Sequence, residues 1–502
     1  MENKYVMTLN RLFPVLLLFC VGKMLCQDNV FLNRSYWKAN PDIATIKSDI
    51  ALGNDIGAFT SAMFDPVCYA LLEKTDNNTI KFLLTQGNNT VDKRTHDGRT
   101  YLFWAAYRGN LEMMRYLVDK GAKATEVDSH GYSVLNFAAV TGQTDQQLYD
   151  FLLGHGADIK NKNTDGANAL LLVAPFLKNL DLVTYFSSKG LDIKARDNNG
   201  SGLFLYAAKG GDVPFLKTLI KKGIPFDYEN ANGDNAMLMA GKGTRNIQAT
   251  LDTFIYLERL GIKANSSNFQ GQNVLHSLAY RCTDREVFEH FIQRGVDVNK
   301  SDADGHTPFM NAVSRNALPI VTYLLEQQGN HNALDNAGRS SLTKAVEHNS
   351  ADVVDLLLKK GAKSNILDDK GSSIAYYLLK AYEPKKTAPF DAKLRLLLEK
   401  GVVMTAIQEN GNTLLHIAAR ENNFGLLKRL EEFKIPIDHL NNEGYTALHL
   451  AAMSGTDAAL LKYLITLGAN KELKTAFDET TYQLISENEL LQDQLAQLDF
   501  LR

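Results

Sequence analysis

Apolar residues recur along this chain in short runs at helical spacing, and the runs come in pairs. Tyr101 to Arg108 forms one run and is followed by a break at Gly109 and Asn110. Leu111 to Lys120 then carries Met114, Leu117 and Val118 at the i, i+3, i+4 spacing of a buried helix face. Gly121 follows, a residue that ends a helix in the left-handed conformation at little cost. Ahead of each pair stands a polar turn made of Asp or Asn, two further residues and Gly. The turn glycines are Gly98, Gly131, Gly166, Gly200, Gly233, Gly271, Gly305, Gly338, Gly371, Gly411 and Gly444, spaced by 33, 35, 34, 33, 38, 34, 33, 33, 40 and 33 residues. A period near 33 predicts one β-turn and two antiparallel helices per unit, hence an all-α repeat solenoid.

The boundaries follow from that period. Residues 63–474 hold about twelve repeats. The first of them, Met63 to Thr95, lacks the opening glycine but keeps Asp65-Pro66 and closes on Leu83, Leu84 and Gly87. Residues 27–62 are a linker and a capping half-repeat around Ile43 to Gly53. Residues 475–502, with Leu490, Leu491, Leu495 and Leu498, are expected to be a capping helix. End repeats need such caps because their apolar faces would otherwise meet water.

Gly444 to Ala452 reads GYTALHLAA, and closely related strings stand at Gly305 to Pro308 and at Leu415-His416 to Ala419. These units resemble the ankyrin repeat, a likeness that runs over about nine-tenths of the chain beyond residue 26. Other copies depart from the pattern: Gly202 stands where Thr is usual, and Ala375-Tyr376 where Leu-His is usual. The resemblance implies that His276, His416 and His449 brace the backbone between neighbouring repeats. It also implies a protein-binding module that uses the ends of the first helices on a concave face. Those ends carry Tyr107, Arg108, Lys209, Lys242, Tyr280, Arg281, Arg315, Lys380 and Arg420, a basic ladder in a slightly acidic chain. Arg with interleaved Tyr is the composition of interface hot spots, and an acidic protein partner is the expectation. Trp104, Phe137 and Tyr206, one slot earlier, are expected in the core. Two repeats are overlong, near Gly243 to Thr250 and Tyr382 to Phe390, and such additions mark surface loops.

Composition narrows the setting. The formal net charge is −3, which removes the electrostatic reason to expect nucleic acid. Residues 1–26 follow the order of a secretory signal peptide: Lys4 and Arg11, an apolar run from Leu12 to Val21, then polar chain after Cys26. Cleavage there leaves no membrane span, whereas retention would leave an anchor. A lysine-led leader without structural disulfides points to a periplasmic protein, with secretion or an ER lumen as the alternative. In a eukaryotic lumen the pairs Asn77/Thr79, Asn88/Thr90, Asn199/Ser201 and Asn265/Ser267 would be glycan acceptors. Cys68 and Cys282 sit six stacking steps apart, too far for a bond that needs Cα atoms within about 7 Å, so both are expected to be buried thiols.

The chain has no C-x-x-C, H-E-x-x-H or G-x-S-x-G. Ala240 to Thr244 departs from a phosphate loop because Gly243 follows Lys242 and Ala236 replaces the first glycine. Asp302, Asp304 and Gly305 lack the later glutamate of a calcium loop and read as a repeat turn. The expectation is a monomeric, non-catalytic binding module with no cofactor or metal. Its rivals are an enzyme or a haem or metal carrier built on the solenoid, and a passive scaffold with many weak partners.

Overall fold

The computed structural model describes residues 29–502, so the stretch 1–26 expected to be a signal peptide lies outside the described residues. The chain forms two compact units, one ending at Asp158 and one running Ile159–Arg502. Among the described residues there is no extended strand, and the turns leave only isolated antiparallel bridges such as Val127 to Ser133 and Leu334 to Ser340. No helix among these residues is long and apolar enough to cross a membrane.

Each repeat opens on the same turn. At thirteen stations, from Thr60 to Thr475, the N–H of the first turn residue donates to the carbonyl four residues on, over 2.8–3.1 Å. The fourth residue must then adopt positive φ. All eleven turn glycines do so, with φ between 72° and 83°. Met63 (60°) and Asp478 (66°) fill that place in the first and last turns, where the glycine period gives no sign of a repeat. In the second unit the turn tips are joined by backbone bonds, including Asn336 N–H to Asp304 (3.0 Å), Asp369 N–H to Ala337 (3.1 Å) and Asn442 N–H to Asn410 (2.9 Å).

The helices begin where side chains cap them. Ser133, Asn168, Asn235, Asn273, Thr307, Ser340 and Thr446 each accept from the N–H three residues on, replacing a bond that the first helical turn cannot supply itself. First helices are buried nearly all round: Tyr101 to Ala106, Leu203 to Ala208 and Ala447 to Ala452 lie in the core. Small paired alanines let neighbouring repeats close on one another there. Second helices bury one stripe, such as Val353, Val354 and Leu357.

In the first unit the amino-terminal end is more built than a linker with a half-repeat. Helices Arg34–Lys38 and Ile43–Ala51 close around Phe31, Trp37 and Ile46, all fully buried. The Trp37 indole donates to the Phe31 carbonyl at 2.8 Å, and the Thr75 hydroxyl ties the first repeat to Trp37 at 3.2 Å. In the second unit the carboxyl end is not a single capping helix. It is a repeat-like pair, helix Thr481–Glu487 followed by 3-10 segments from Glu489, with Leu491, Leu498 and Leu501 buried.

The two insertions differ. Gly243 to Thr250 is a loop closed by Thr244 N–H to Ile247 (2.8 Å). The second is only partly loop: it lengthens a second helix to thirteen residues, Thr387–Glu399, and buries Phe390 against Tyr382. Cys68 and Cys282 are both buried free thiols, one in each unit.

Candidate partner-binding face

The turn carboxylates do more than close turns. Asp335 Oδ1 accepts from the Ala337 and Arg339 N–H groups at 3.0 and 2.9 Å, while Oδ2 takes Lys344 at 2.8 Å from the first helix. Tyr206 to Asp197 (2.8 Å) and Tyr377 to Asp368 (2.6 Å) repeat this pairing nine residues from the turn. Tyr206 is therefore buried, as expected, and so are Trp104 and Phe137, with Arg99 packed across both rings. Asp302, Asp304 and His306 bring their ligand atoms within 4.8 Å of one another. Asp302 is already engaged by the Asp304 and His306 N–H groups and by Gln272.

Three histidines join repeats. His276, His416 and His449 each accept a backbone N–H at Nδ1 (3.1, 3.2 and 3.2 Å) and present Nε2 to a carbonyl of the next repeat (3.2, 3.0 and 3.0 Å). That geometry sets the Nε2–H tautomer at His416 and His449, while His276 Nδ1 lies in addition 2.9 Å from Asn273 Oδ1. Burial pushes all three pKa values below the usual imidazole range.

The first-helix ends hold orphan carbonyls, and a second set of side chains exists to satisfy them. Asn316 reaches back to Ala279 and Cys282 at 2.8 and 2.9 Å; Asn349 reaches Val313 and Asn316 at 2.9 and 3.0 Å; Asn488 reaches Ala452 and Gly455, both at 2.9 Å. This service absorbs part of the predicted basic ladder. The Arg108 guanidinium donates to Leu72, and Arg281 donates to Arg245 and Lys242 carbonyls at 3.2 and 3.4 Å.

Others in the ladder are neutralised or covered. Lys242 is paired with buried Asp234 at 2.5 Å and Lys380 with Glu421 at 2.6 Å. Lys209 is half-buried over the Tyr206 ring, its pKa lowered by burial and then by the Lys242 charge. Tyr107 packs on Phe137 with ring centroids 6.0 Å apart. What stays open lies in the second unit. Tyr280, Arg315 and Arg420 are exposed, and neither guanidinium makes a salt bridge or hydrogen bond among the described residues.

One exposed row was not anticipated. Leu334, Leu367, Ile407 and Leu440, at the residue before the turn in four successive repeats, are 48%, 55%, 46% and 49% exposed. Aligning the repeats by their turns, rather than by their helices, would have exposed this row in the sequence.

Comparison with known proteins bears directly on this arrangement. The family described as "Ankyrin repeats (3 copies)" matches residues 67–163, 275–368 and 388–475. Among curated relatives, Ankyrin repeat protein OPG189 of Variola virus is 22% identical over 305 residues, covering 58% of this chain and 50% of that protein. The Transient receptor potential cation channel subfamily A member 1 homolog of Caenorhabditis elegans is 38% identical over 92 residues, 18% of this chain and 8% of that protein. The crystal structure of the human ASB11 ankyrin repeat domain aligns at TM-score 0.38 and 22% identity, covering 46% of this chain and 98% of that one. The chain thus spans half or less of the length of these curated relatives. The unmatched stretch 164–274 carries the same turns at Gly166, Gly200, Gly233 and Gly271, all at positive φ. With the family matched over more than half of the 502 residues and its turn, cap and histidine brace all in place, this chain belongs to the ankyrin-repeat family.

Proposed function

We propose that the protein is an exported, non-catalytic binding module whose second unit captures an acidic segment of another protein on its first-helix ends. Ankyrin repeats are protein-interaction modules, and that coarse reading is common to the family. The observation that carries the finer one is the exposure of Arg315 and Arg420 without internal partners, beside exposed Tyr280. An arginine with no intramolecular acceptor keeps its planar donor fork available for a carboxylate. Arg281 and Lys380 stand beside them as weaker contributors, since each has an internal partner to give up. Export rests on the pattern of residues 1–26, and the periplasm is favoured over secretion or an ER lumen. We read the protein as a monomer without nucleic-acid partners.

The test is capture of partners from the native envelope fraction by the wild-type chain and by Arg315→Glu/Arg420→Glu. A partner held at low salt, weakened by salt and lost on charge reversal supports the reading. Undiminished capture by the double variant sinks it. A second reading is favoured by the exposed row Leu334, Leu367, Ile407 and Leu440, which offers an apolar strip instead of a charged one. Loss of the partner in Leu367→Asp/Ile407→Asp, with salt making no difference, would select that strip.

A further inference from the structure

Lys393 stands where no other repeat has a cation. Counting back eight residues from each helix-ending glycine, this position holds Met113, Leu148, Leu182, Phe215, Thr253, Val287, Val353 and Leu460, all buried. Lys393 occupies the same register from Gly401 and is 5% exposed. A charge at a core position contradicts the packing rule that its own repeat otherwise obeys, and such conflicts concentrate at functional sites.

Part of the reason is local. The preceding repeats cover first-helix carbonyls with Asn316 and Asn349, but in this repeat Tyr382 stands in that slot. The orphaned Val346 carbonyl is taken instead by Lys393 Nζ at 2.8 Å. Thr253 does the same for Gly211 at 2.6 Å in the other overlong repeat, using a neutral hydroxyl. A neutral donor is thus sufficient for that structural duty. An ammonium brings two further N–H groups and a full charge, and among the described residues no carboxylate lies within ion-pair distance of it.

Those spare donors belong to a residue that lines a cleft of about 230 Å³, formed with Glu347, His348, Lys380, Glu383, Lys386 and their neighbours. Two of the other charges there are matched, Lys380 with Glu421 at 2.6 Å and Lys386 with Glu383 at 3.5 Å, while Glu347 lies 3.4 Å from His348, whose pKa burial holds below the usual imidazole range. Lys393 has no salt-bridge partner among the described residues, Glu383 acting on it only from beyond ion-pair distance. We propose that this cleft binds a carboxylate, held by Lys393 Nζ with Lys386 at the rim. Burial lowers the Lys393 pKa, and a bound anion would restore its charged form. The site shares Lys380 with the first-helix ladder but is built on Lys393, and its test needs no protein partner.

Glutarate is titrated into the full chain by calorimetry, against acetate and against a short peptide ending in a free or an amidated carboxyl. Saturable millimolar binding is expected, weakened about tenfold or more in Lys393→Met and several-fold in Lys386→Glu. Preference for the free-ended peptide over its amide assigns the ligand to a chain terminus. Equal binding of both peptides assigns it to side-chain carboxylates, and binding of glutarate alone to a free small acid. Absence of saturable binding, or wild-type affinity in a folded Lys393→Met, overturns the proposal. Should Lys393→Met fail to fold, Lys386→Glu decides, because Lys386 is exposed and its replacement leaves the core intact.

Discussion

Protonation should loosen the joints between repeats in the second unit. His276, His416 and His449 each use Nδ1 as an acceptor for a backbone N–H and Nε2–H as a donor to the next repeat. A proton on Nδ1 would set two donors against each other at His416 and His449, and burial holds the folded-state pKa of all three low. The sign follows from linkage. A histidine whose folded pKa lies below its unfolded value of about 6.5 contributes full stability above that value and loses it as pH falls. While the unfolded chain is protonated and the folded one is not, each such histidine costs about 1.4 kcal/mol per pH unit, and three cost about 4. Replacing two of them by glutamine, which cannot titrate, should therefore remove at most about 3 kcal/mol of the stability lost between about pH 7.5 and 5.5. Urea unfolding of the wild type and of His416→Gln/His449→Gln at several pH values between about 7.5 and 5.5 reads that loss. Imidazole NMR titration reads the three pKa values directly. Parallel pH profiles for the two proteins, or three histidines titrating at the ordinary value, would refute the bracing argument.

Two further outcomes follow from the repeat turn and the core. Gly305→Ala should cost more than Gly371→Ala in thermal unfolding. Both have positive φ, worth about 1–2 kcal/mol for a side chain, but a Cβ at Gly305 would sit 2.6 Å from the Asn336 nitrogen, whereas nothing lies within 4 Å at Gly371. Equal losses would mean that tip-to-tip contact contributes nothing. The Cys68 and Cys282 thiols, both buried and with pKa values raised by burial, should resist a disulfide reagent in the native protein and react on unfolding. Rapid labelling of either would show that its repeat opens readily.

The architecture was legible because it is repeated. Eleven glycines at one period predict eleven left-handed turn positions, and each has positive φ. The ends were less legible. Trp37 and Phe31 sit in a stretch with no period to read, and Met63 and Asp478 take a glycine's conformation without being glycine. The candidate site was legible in position but not in state. Sequence places Arg108, Lys242 and Arg281 at first-helix ends, yet whether a cation is free depends on acceptors a whole repeat away, Leu72 for Arg108 and Arg245 for Arg281. Orphan carbonyls at the helix ends compete for those donors. Lys393 escaped notice for the same reason, since it answers a gap left by Tyr382 in the neighbouring loop.

The most direct test of the central claim is amide hydrogen exchange of the chain with and without its captured partner. The account predicts that protection on binding concentrates at the first-helix ends around Tyr280, Arg315 and Arg420. Protection confined to the outer second helices, with those ends exchanging as in the free protein, would contradict it.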